Sequence, residues 1–351
     1  MRRVFSHTQQ SAGGLRNPLR RLGPALSAGR VSVLIVAGMV VAGLLPFMKL
    51  GLVVNGLIFG SVIALGAIGL TLVYGILKLG NFAHGDYMAL GAYIAFFVVD
   101  GVLPRVGIEG AGLGPFTFGV PVLVALPLAA LVVALGAIAL DGLIYGRLRD
   151  RGAGTAILMM ASLGVAIAIR GLIQLIWTGD TQHYPRESRQ VYHLPMDVRI
   201  PPDGIFVAVV AVVLVLGLYA LLNHTKMGKA MRATSDNPSL ALVSGINTRH
   251  VVWWTWGIGG AMAAVAGVLL AVVQAQLLPI MGWKFLIPLF AAVILGGIGN
   301  PYGALVGALI VGVSMEVSTQ WINPSYKPAV AFAIMIGVLL ARPRGIFGDS
   351  P

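Results

Sequence analysis

Cysteine is absent from this 351-residue chain, which removes disulfides, thiolate metal ligation and cysteine nucleophiles together. Charge is scarce: 10% of residues are Asp, Glu, Lys or Arg against 58% hydrophobic, and the mean hydropathy is +0.90. A soluble globular fold is excluded, because too little polar surface remains to face water. The strict alternation over about ten residues that marks a membrane barrel is also missing. So are a G-x-x-x-x-G-K-[ST] phosphate loop ("MGKA" at 227–230 is not one) and an H-E-x-x-H zinc motif.

What is present is a series of long apolar runs. A hydrocarbon core about 30 Å thick needs roughly 20 apolar residues per helix. The sequence predicts an all-α, polytopic membrane protein with about eight to ten spans, near 31–48, 52–77, 86–104, 119–146, 155–178, 204–222, 251–278, 285–298, 303–321 and 327–341. The run 285–298 is short enough to be re-entrant or a broken half-helix. The 47 glycines and 19 prolines fit close helix packing and interrupted helices rather than disorder. If every run crosses, 16 Lys and Arg fall on the side of the N-terminus and seven on the other. By the positive-inside rule both termini are expected in the cytoplasm. The net charge of +12 is then a topology signal, and no nucleic-acid partner is expected. The first run follows a basic stretch like a signal peptide, but "LPFMKLG" is a poor cleavage site, so a retained helix is expected. Residues 1–50 read as a basic tail plus this added helix, and 51–348 as the main membrane domain.

Two loops carry information. Residues 179–203 form the longest external segment, a connector or a docking surface for an external partner; His183 and His193 have no metal-ligand spacing. Residues 223–250 form the longest internal loop and contain a short helix. Asp236 or Asn237 can cap it, Pro238 fits its first position, and Gly245 can end it in a left-handed conformation. A helix that short is not stable alone in water, so it packs on its own membrane domain or, the favoured reading, inserts into a groove on a cytoplasmic partner.

Polar residues inside spans need explanation, since a charge at the bilayer centre costs about 2.5–3.5 kcal/mol. Asp141 can reach an interface; Arg170 and Glu316 lie deeper, and their similar depth suggests an ion pair with each other or a water-filled path. Asn55, Ser61, Gln174, Gln274 and Gln276 are uncharged polar residues in or near spans, and Gln274 and Gln276 precede Pro279 and Gly282 at a candidate vestibule. Helix breaks are expected at "GNFAHGD", on the cytoplasmic side, and at "GGIGNPYG". In the first, Asp86 is expected to cap the following helix, with Asn81 and His84 satisfying freed backbone groups. "LGNFAHGDYMALGAYIA" and "IGNPYGALVGALIVG" share a rhythm that hints at a duplicated half.

Five blocks together carry a resemblance. "NGLIFGSVIALGAIGLTLVYGILKLGNFAHGDYMALGAY" (55–93), "MGKAMRATSDNPSLALVSGIN" (227–247), "GGAMAAVAGVLLA" (259–271), "AAVILGGIGNPYGALVGALIVG" (291–312) and "YKPAVAFAIMIGVLLARPRGIFG" (326–348) occur in order. They resemble permeases of branched-chain amino acid ABC transporters of the LivH type. The resemblance implies a transport subunit, not an enzyme, with no cofactor of its own. Its implied partners are a second homologous permease chain, ATPase subunits that bind ATP, an extracytoplasmic solute-binding protein and membrane lipid. It also implies that 227–247 is the ATPase-coupling element and that the substrate is a branched-chain amino acid, urea or a short amide. Two other readings stay open: an ion-coupled secondary transporter using Arg170 and Glu316, and an intramembrane enzyme using His84 and Asp86. The residues expected to carry coupling are Arg232, Asp236, Pro238, Leu240, Leu242 and Gly245; those expected on the pathway are Asn81, His84, Gln274 and Asn300.

Overall fold

The structure is a computed structural model that describes residues 49–108, 113–186, 191–194, 198–342 and 344–347. The expected helix at 31–48 and its basic lead lie outside the described residues. In order come α1 (Leu50–Leu77), α2 (His84–Phe96), α3 (Val120–Leu140), α4 (Gly146–Asp150), α5 (Thr155–Trp177), a small hairpin of β1 (Tyr192–Leu194) and β2 (Val198–Ile200), and α6 (Pro202–His224). They are followed by α7 (Lys226–Asp236), α8 (Pro238–Val243), α9 (Thr248–Gln274), α10 (Met281–Gly296), α11 (Pro301–Ser318) and α12 (Lys327–Ala341). Eight helical stretches are long and apolar enough to cross a membrane, and α10 is a shorter apolar helix. The chain is an all-α, multi-pass membrane protein.

The centre of the molecule is built on α1 and α9, the most enclosed spans. Their inner faces are lined by Gly, Ala and Val, so neighbouring backbones come close. Helix α11 packs antiparallel along α1: a Cβ at Gly56 would meet the backbone of Val313, and one at Gly60 the backbone of Ala308 and Leu309. The outer spans α3, α5, α6 and α12 cover this centre and expose long rows of Leu, Val and Ile. In hydrocarbon such faces need no partner.

Two breaks shape the interior. After α1, Lys78 turns the chain in a left-handed conformation (φ 51°), and residues 79–83 run back along α5 instead of staying at the membrane face. The amide of Phe82 donates to Ser162 Oγ (3.0 Å), and the His84 ring reaches the carbonyl of Gly66 (2.8 Å). Gly66 lies eleven residues before the end of α1, roughly 16 Å along the helix axis. The helix break expected at "GNFAHGD" is present, but it lies deep in the protein and not at the membrane face where the charge pattern placed it. Asp86 does not cap α2 either; the residue before the helix is Ala83, and Asp86 lies inside the first turn.

The second break repeats the first from the opposite face. Ala275 follows α9 in a left-handed conformation (φ 62°), and α10 starts six residues later, the interval that separates Lys78 from His84. The two helix starts meet. A Cβ on Gly85 would strike the Gly282 carbonyl, and one on Gly282 would strike the Gly85 carbonyl. The reciprocal contact places a local two-fold relation between the α1–α2 and α9–α10 units. The equal spacing and the reciprocal contact relate 78–85 to 275–282, a pairing different from the 79–95 and 298–312 stretches whose rhythm the sequence offered. "GGIGNPYG" is a turn at a helix end, where the Gly299 amide donates to Thr71 Oγ1 (2.9 Å).

Helix α10 ends beside the last turns of α1, and the C-terminal tail returns there, with Ile346 donating to the Leu295 carbonyl (2.8 Å). The 275–296 unit therefore passes from one face to the other. Counting it, the described residues make nine passages, and the tenth expected span is the one outside them.

Candidate functional site

Three places hold the residues singled out from the sequence. The first is the face where α1, α6 and α10 end. Helix α7, which the sequence reading did not separate from the loop, is capped by Thr225, whose Oγ1 accepts from the Gly228 amide (3.0 Å). The chain then turns a corner into α8. Asn237, not Asp236, caps α8: its Oδ1 accepts from the Leu240 amide (3.0 Å), and Pro238 takes the first position. Asp236 is the last residue of α7. Gly245 ends the unit at φ +84°, with its amide donating to Leu242 and that of Ile246 to Ala241 (both 3.0 Å). Ala241 is buried, whereas Leu240, Leu242 and Val243 are 60%, 60% and 80% exposed. Outside a membrane span, three bare aliphatic side chains on one short helix need another surface.

Helix α7 is tied to the membrane helices. Ser235 Oγ donates to the Gly75 carbonyl (2.9 Å), and Arg232 donates to Asn223 (3.0 Å), which donates to the Tyr302 hydroxyl (2.6 Å). Asn300 is at this face too, as the cap of α11, accepting from Tyr302 and Gly303 amides (3.0 and 3.1 Å). Arg232, Asp236, Asn300, Lys78 and Tyr302 line one cleft of about 460 Å³.

The second place is the first break. Asn81 Oδ1 accepts from the Ala83 amide (3.0 Å). His84 Nε2 carries the proton, because its partner is a carbonyl, and its Nδ1 has no hydrogen-bond partner among the described residues. Both residues satisfy backbone groups, as the sequence suggested. Asp86 is fully buried and accepts from Arg170 Nε and Nη2 at 3.0 to 3.1 Å, with the guanidinium 5.1 Å from the Trp283 ring centre. His84 and Asp86 therefore serve different partners and form no dyad. Arg170 does not pair with Glu316, a further correction: the expectation rested on depth alone, and depth does not say which helix face a side chain takes. Glu316 pairs instead with Lys327 at 2.5 Å. Asp141 is held by Arg149 near a helix end (2.7 Å).

The third place is a cleft of about 500 Å³ at the opposite face, where α1 begins and α9 and α11 end. Gln274, Asn55, Arg199, Asp203, Glu316 and Lys327 line it. Asp203 is buried and accepts from the Thr117 amide (2.9 Å) and hydroxyl (2.6 Å). The neighbouring long segment is fastened down at several points. Tyr184 donates to the Ala92 carbonyl (2.9 Å), and burial pushes its hydroxyl far above the usual range, so it stays a donor. His183 Nδ1 donates to the Ala275 carbonyl (2.7 Å), and Arg186 donates to Val272. No group of three or more potential metal ligands occurs among the described residues.

Asp203 and Lys327 were missed because each sits at a span end, where charge is ordinary. The sequence signals for this cleft were Asn55, Gln274 and Glu316, polar residues in or near spans that line it with them.

Comparison with known proteins bears on the whole assembly of these features. Residues 52–339 match the family model described as branched-chain amino acid transport system / permease component. The chain is 33% identical over 301 residues to the high-affinity branched-chain amino acid transport system permease protein BraD of Pseudomonas aeruginosa, covering 84% of this chain and 94% of that one. It is 32% identical over 300 residues to LivH of Escherichia coli K12, with the same coverage, and 33% identical over 304 residues to a probable LivH of Methanocaldococcus jannaschii, covering 84% and 91%. No solved structure matches. A multi-pass helical body, paired helix breaks and a family match over most of its length lead to one conclusion: this chain belongs to the permease components of branched-chain amino acid transport systems.

Proposed function

We propose that the chain is the membrane-spanning subunit of an ATP-driven importer, passing branched-chain amino acids from an external binding protein to the cytoplasm of a bacterial cell across its inner membrane. The observation that carries this reading is α8. It is capped at both ends and presents Leu240, Leu242 and Val243 outward. Each such side chain contributes about 1.5–3 kcal/mol when fully buried, so a groove on an ATPase subunit would be a strong attractor. The absence of a phosphate-loop motif in the sequence means that ATP must act through that partner. Arg232 and Asp236 would position α7, and Pro238 and Gly245 would hold the shape of α8.

The excess of Lys and Arg on the α7–α8 side supports a cytoplasmic location for that face. The clamped segment around 179–203 would then meet the binding protein, and a second homologous permease would complete the pathway. Residues 1–50 would form a separate leading unit.

Gentle purification of the tagged chain from its native membrane, followed by mass spectrometry, tests the assembly. An ATPase and a second permease are expected. Uptake of leucine by the complex in proteoliposomes, dependent on internal ATP and on the binding protein, tests the activity. Gly245→Pro should leave the chain inserted but uncouple ATP hydrolysis from uptake, since proline can neither adopt φ +84° nor donate to Leu242. A lone chain that transports without ATP would overturn the reading in favour of an ion-coupled carrier, and transport of urea but not leucine would overturn the substrate.

A further inference from the structure

We infer that the cleft between α1, α9, α11 and α12 is an amino-acid-binding station within the permease, built for a zwitterion. The inference rests on the proposed function for its direction of transport, and on the cleft itself for its chemistry.

The charged lining residues are two of each sign. Arg199 and Lys327 are positive; Asp203 and Glu316 are negative. A cleft with no net charge suits a ligand with none, and it would repel neither end of an α-amino acid. The remaining lining has two parts. Asn55 and Gln274 contribute carboxamides that bond to no other described residue, and Ile58, Phe59, Val191 and Val273 contribute apolar surface. An amine acceptor, a carboxylate donor and an apolar wall are the three elements an aliphatic amino acid needs. The volume of about 500 Å³ is within the range of small-ligand sites, roughly 300–1,000 Å³.

The Glu316–Lys327 pair is the recognition element. Nζ of Lys327 sits 2.5 Å from Oε1 of Glu316, and both side chains are mostly shielded, 24% and 13% exposed. A shielded ion pair cannot lose one partner cheaply, because the other is left uncompensated. A zwitterion solves that problem by inserting. Its carboxylate takes Lys327 and its ammonium takes Glu316, so one ion pair becomes two and no charge is stranded. Urea, a simple amide or a fatty acid cannot make the exchange. Asp203 is spoken for by Thr117 and serves to hold the wall of the cleft.

The position fits a way station. Gln274 is the last residue of α9, directly before the left-handed Ala275 that opens the second break. Glu316 is near the end of α11, and Lys327 is the first residue of α12. A ligand held there touches the three helix ends that surround the α9–α10 unit.

The test uses the complete transporter, purified with its partner subunits but without the external binding protein. Equilibrium binding of radiolabelled L-leucine is measured first. Saturable binding, displaced by L-valine but not by leucinamide or 4-methylpentanoate, is expected. Lys327→Gln and Glu316→Gln are each expected to weaken binding and raise the KM for ATP-driven uptake about tenfold, the scale of one lost interaction. The charge-exchanged protein carrying Glu316→Lys and Lys327→Glu should recover thermal stability, because the ion pair is rebuilt, yet not wild-type leucine binding, because the amino acid must then enter reversed and its side chain no longer meets the apolar wall. Wild-type binding and uptake in that exchanged protein would assign the pair a structural role and overturn the inference. So would the absence of saturable binding in a complex that transports leucine normally. A complex that transports no branched-chain amino acid at all would instead defeat the functional reading beneath it.

Discussion

The two helix breaks share a geometry and differ in chemistry. Both follow a long buried helix, both turn through a left-handed residue that is not glycine, and both open a helix six residues later. The first is polar: Asn81, His84, Asp86, Arg170 and Ser162 converge on it. The second is nearly apolar, and its backbone is satisfied by the segment that follows α5, where Gln182 and Leu277 exchange backbone hydrogen bonds at 3.0 and 2.7 Å. Depth of cover explains the contrast. Residues 79–83 are enclosed by α1 and α5 with no loop to pair with, so side chains must supply the partners. Residues 275–280 lie against a clamped loop that offers its own backbone. A break in a membrane protein is thus held by side chains or by borrowed backbone, according to what lies beside it.

The largest effect should come from the contact the breaks share. Gly85→Leu or Gly282→Leu drives a side chain into opposing backbone that cannot move aside, so the cost exceeds the about 1–3 kcal/mol of overpacking where atoms can shift and prevents the two units from packing. Loss of monodisperse protein in size-exclusion chromatography is expected. Gly164→Leu, on the open face of α5 with nothing within 4 Å, should behave as wild type. If all three are tolerated equally, the breaks do not pack as described.

Next in size, Arg170→Gln strands the buried Asp86 carboxylate. A loss of about 3–5 kcal/mol is expected, read as a lower thermal midpoint in detergent, and adding Asp86→Asn should restore part of it. Equal midpoints for the single and double variants would show that the charge is not the issue.

A smaller and sharper contrast tests the two ways of satisfying backbone. Ser162→Ala leaves the Phe82 amide without its acceptor at depth, for about 1–3 kcal/mol. Gln182→Pro removes one of the two backbone bonds at the second break, from a residue that is only half-buried, and leaves the Leu277 amide its own acceptor, so its effect should be smaller. The reverse order would contradict the role assigned to depth. Smallest of all, Ala275→Gly should raise the thermal midpoint slightly, since a left-handed residue with a Cβ carries about 1–2 kcal/mol of strain, part of which glycine gives back as chain entropy.

Sequence patterns went far with the periphery. The span positions, the capped helix at 238–243, the left-handed Gly245 and the backbone roles of Asn81 and His84 all follow from local rules, because caps, turns and hydrophobic runs involve near neighbours in the chain. The interior charges resisted. Arg170 and Glu316 have partners 84 and 11 residues away, and a list of spans says nothing about which faces meet. The same gap hid the second break: "QAQLLPIMGW" (274–283) has one proline and one glycine but no polar cluster, since its backbone partners lie in another segment.

The amino-acid order alone determined that this chain lives in a bilayer, roughly where it crosses, and where a short capped helix interrupts the loop between two spans. Those properties depend on composition and on contacts within a few residues, so they survive without a fold. Tertiary structure alone decided which charges pair, how deep each break lies, and that Gly85 and Gly282 meet. These are set by the packing of helices distant in sequence, where a missing Cβ or a rotation of one helix face changes the partner.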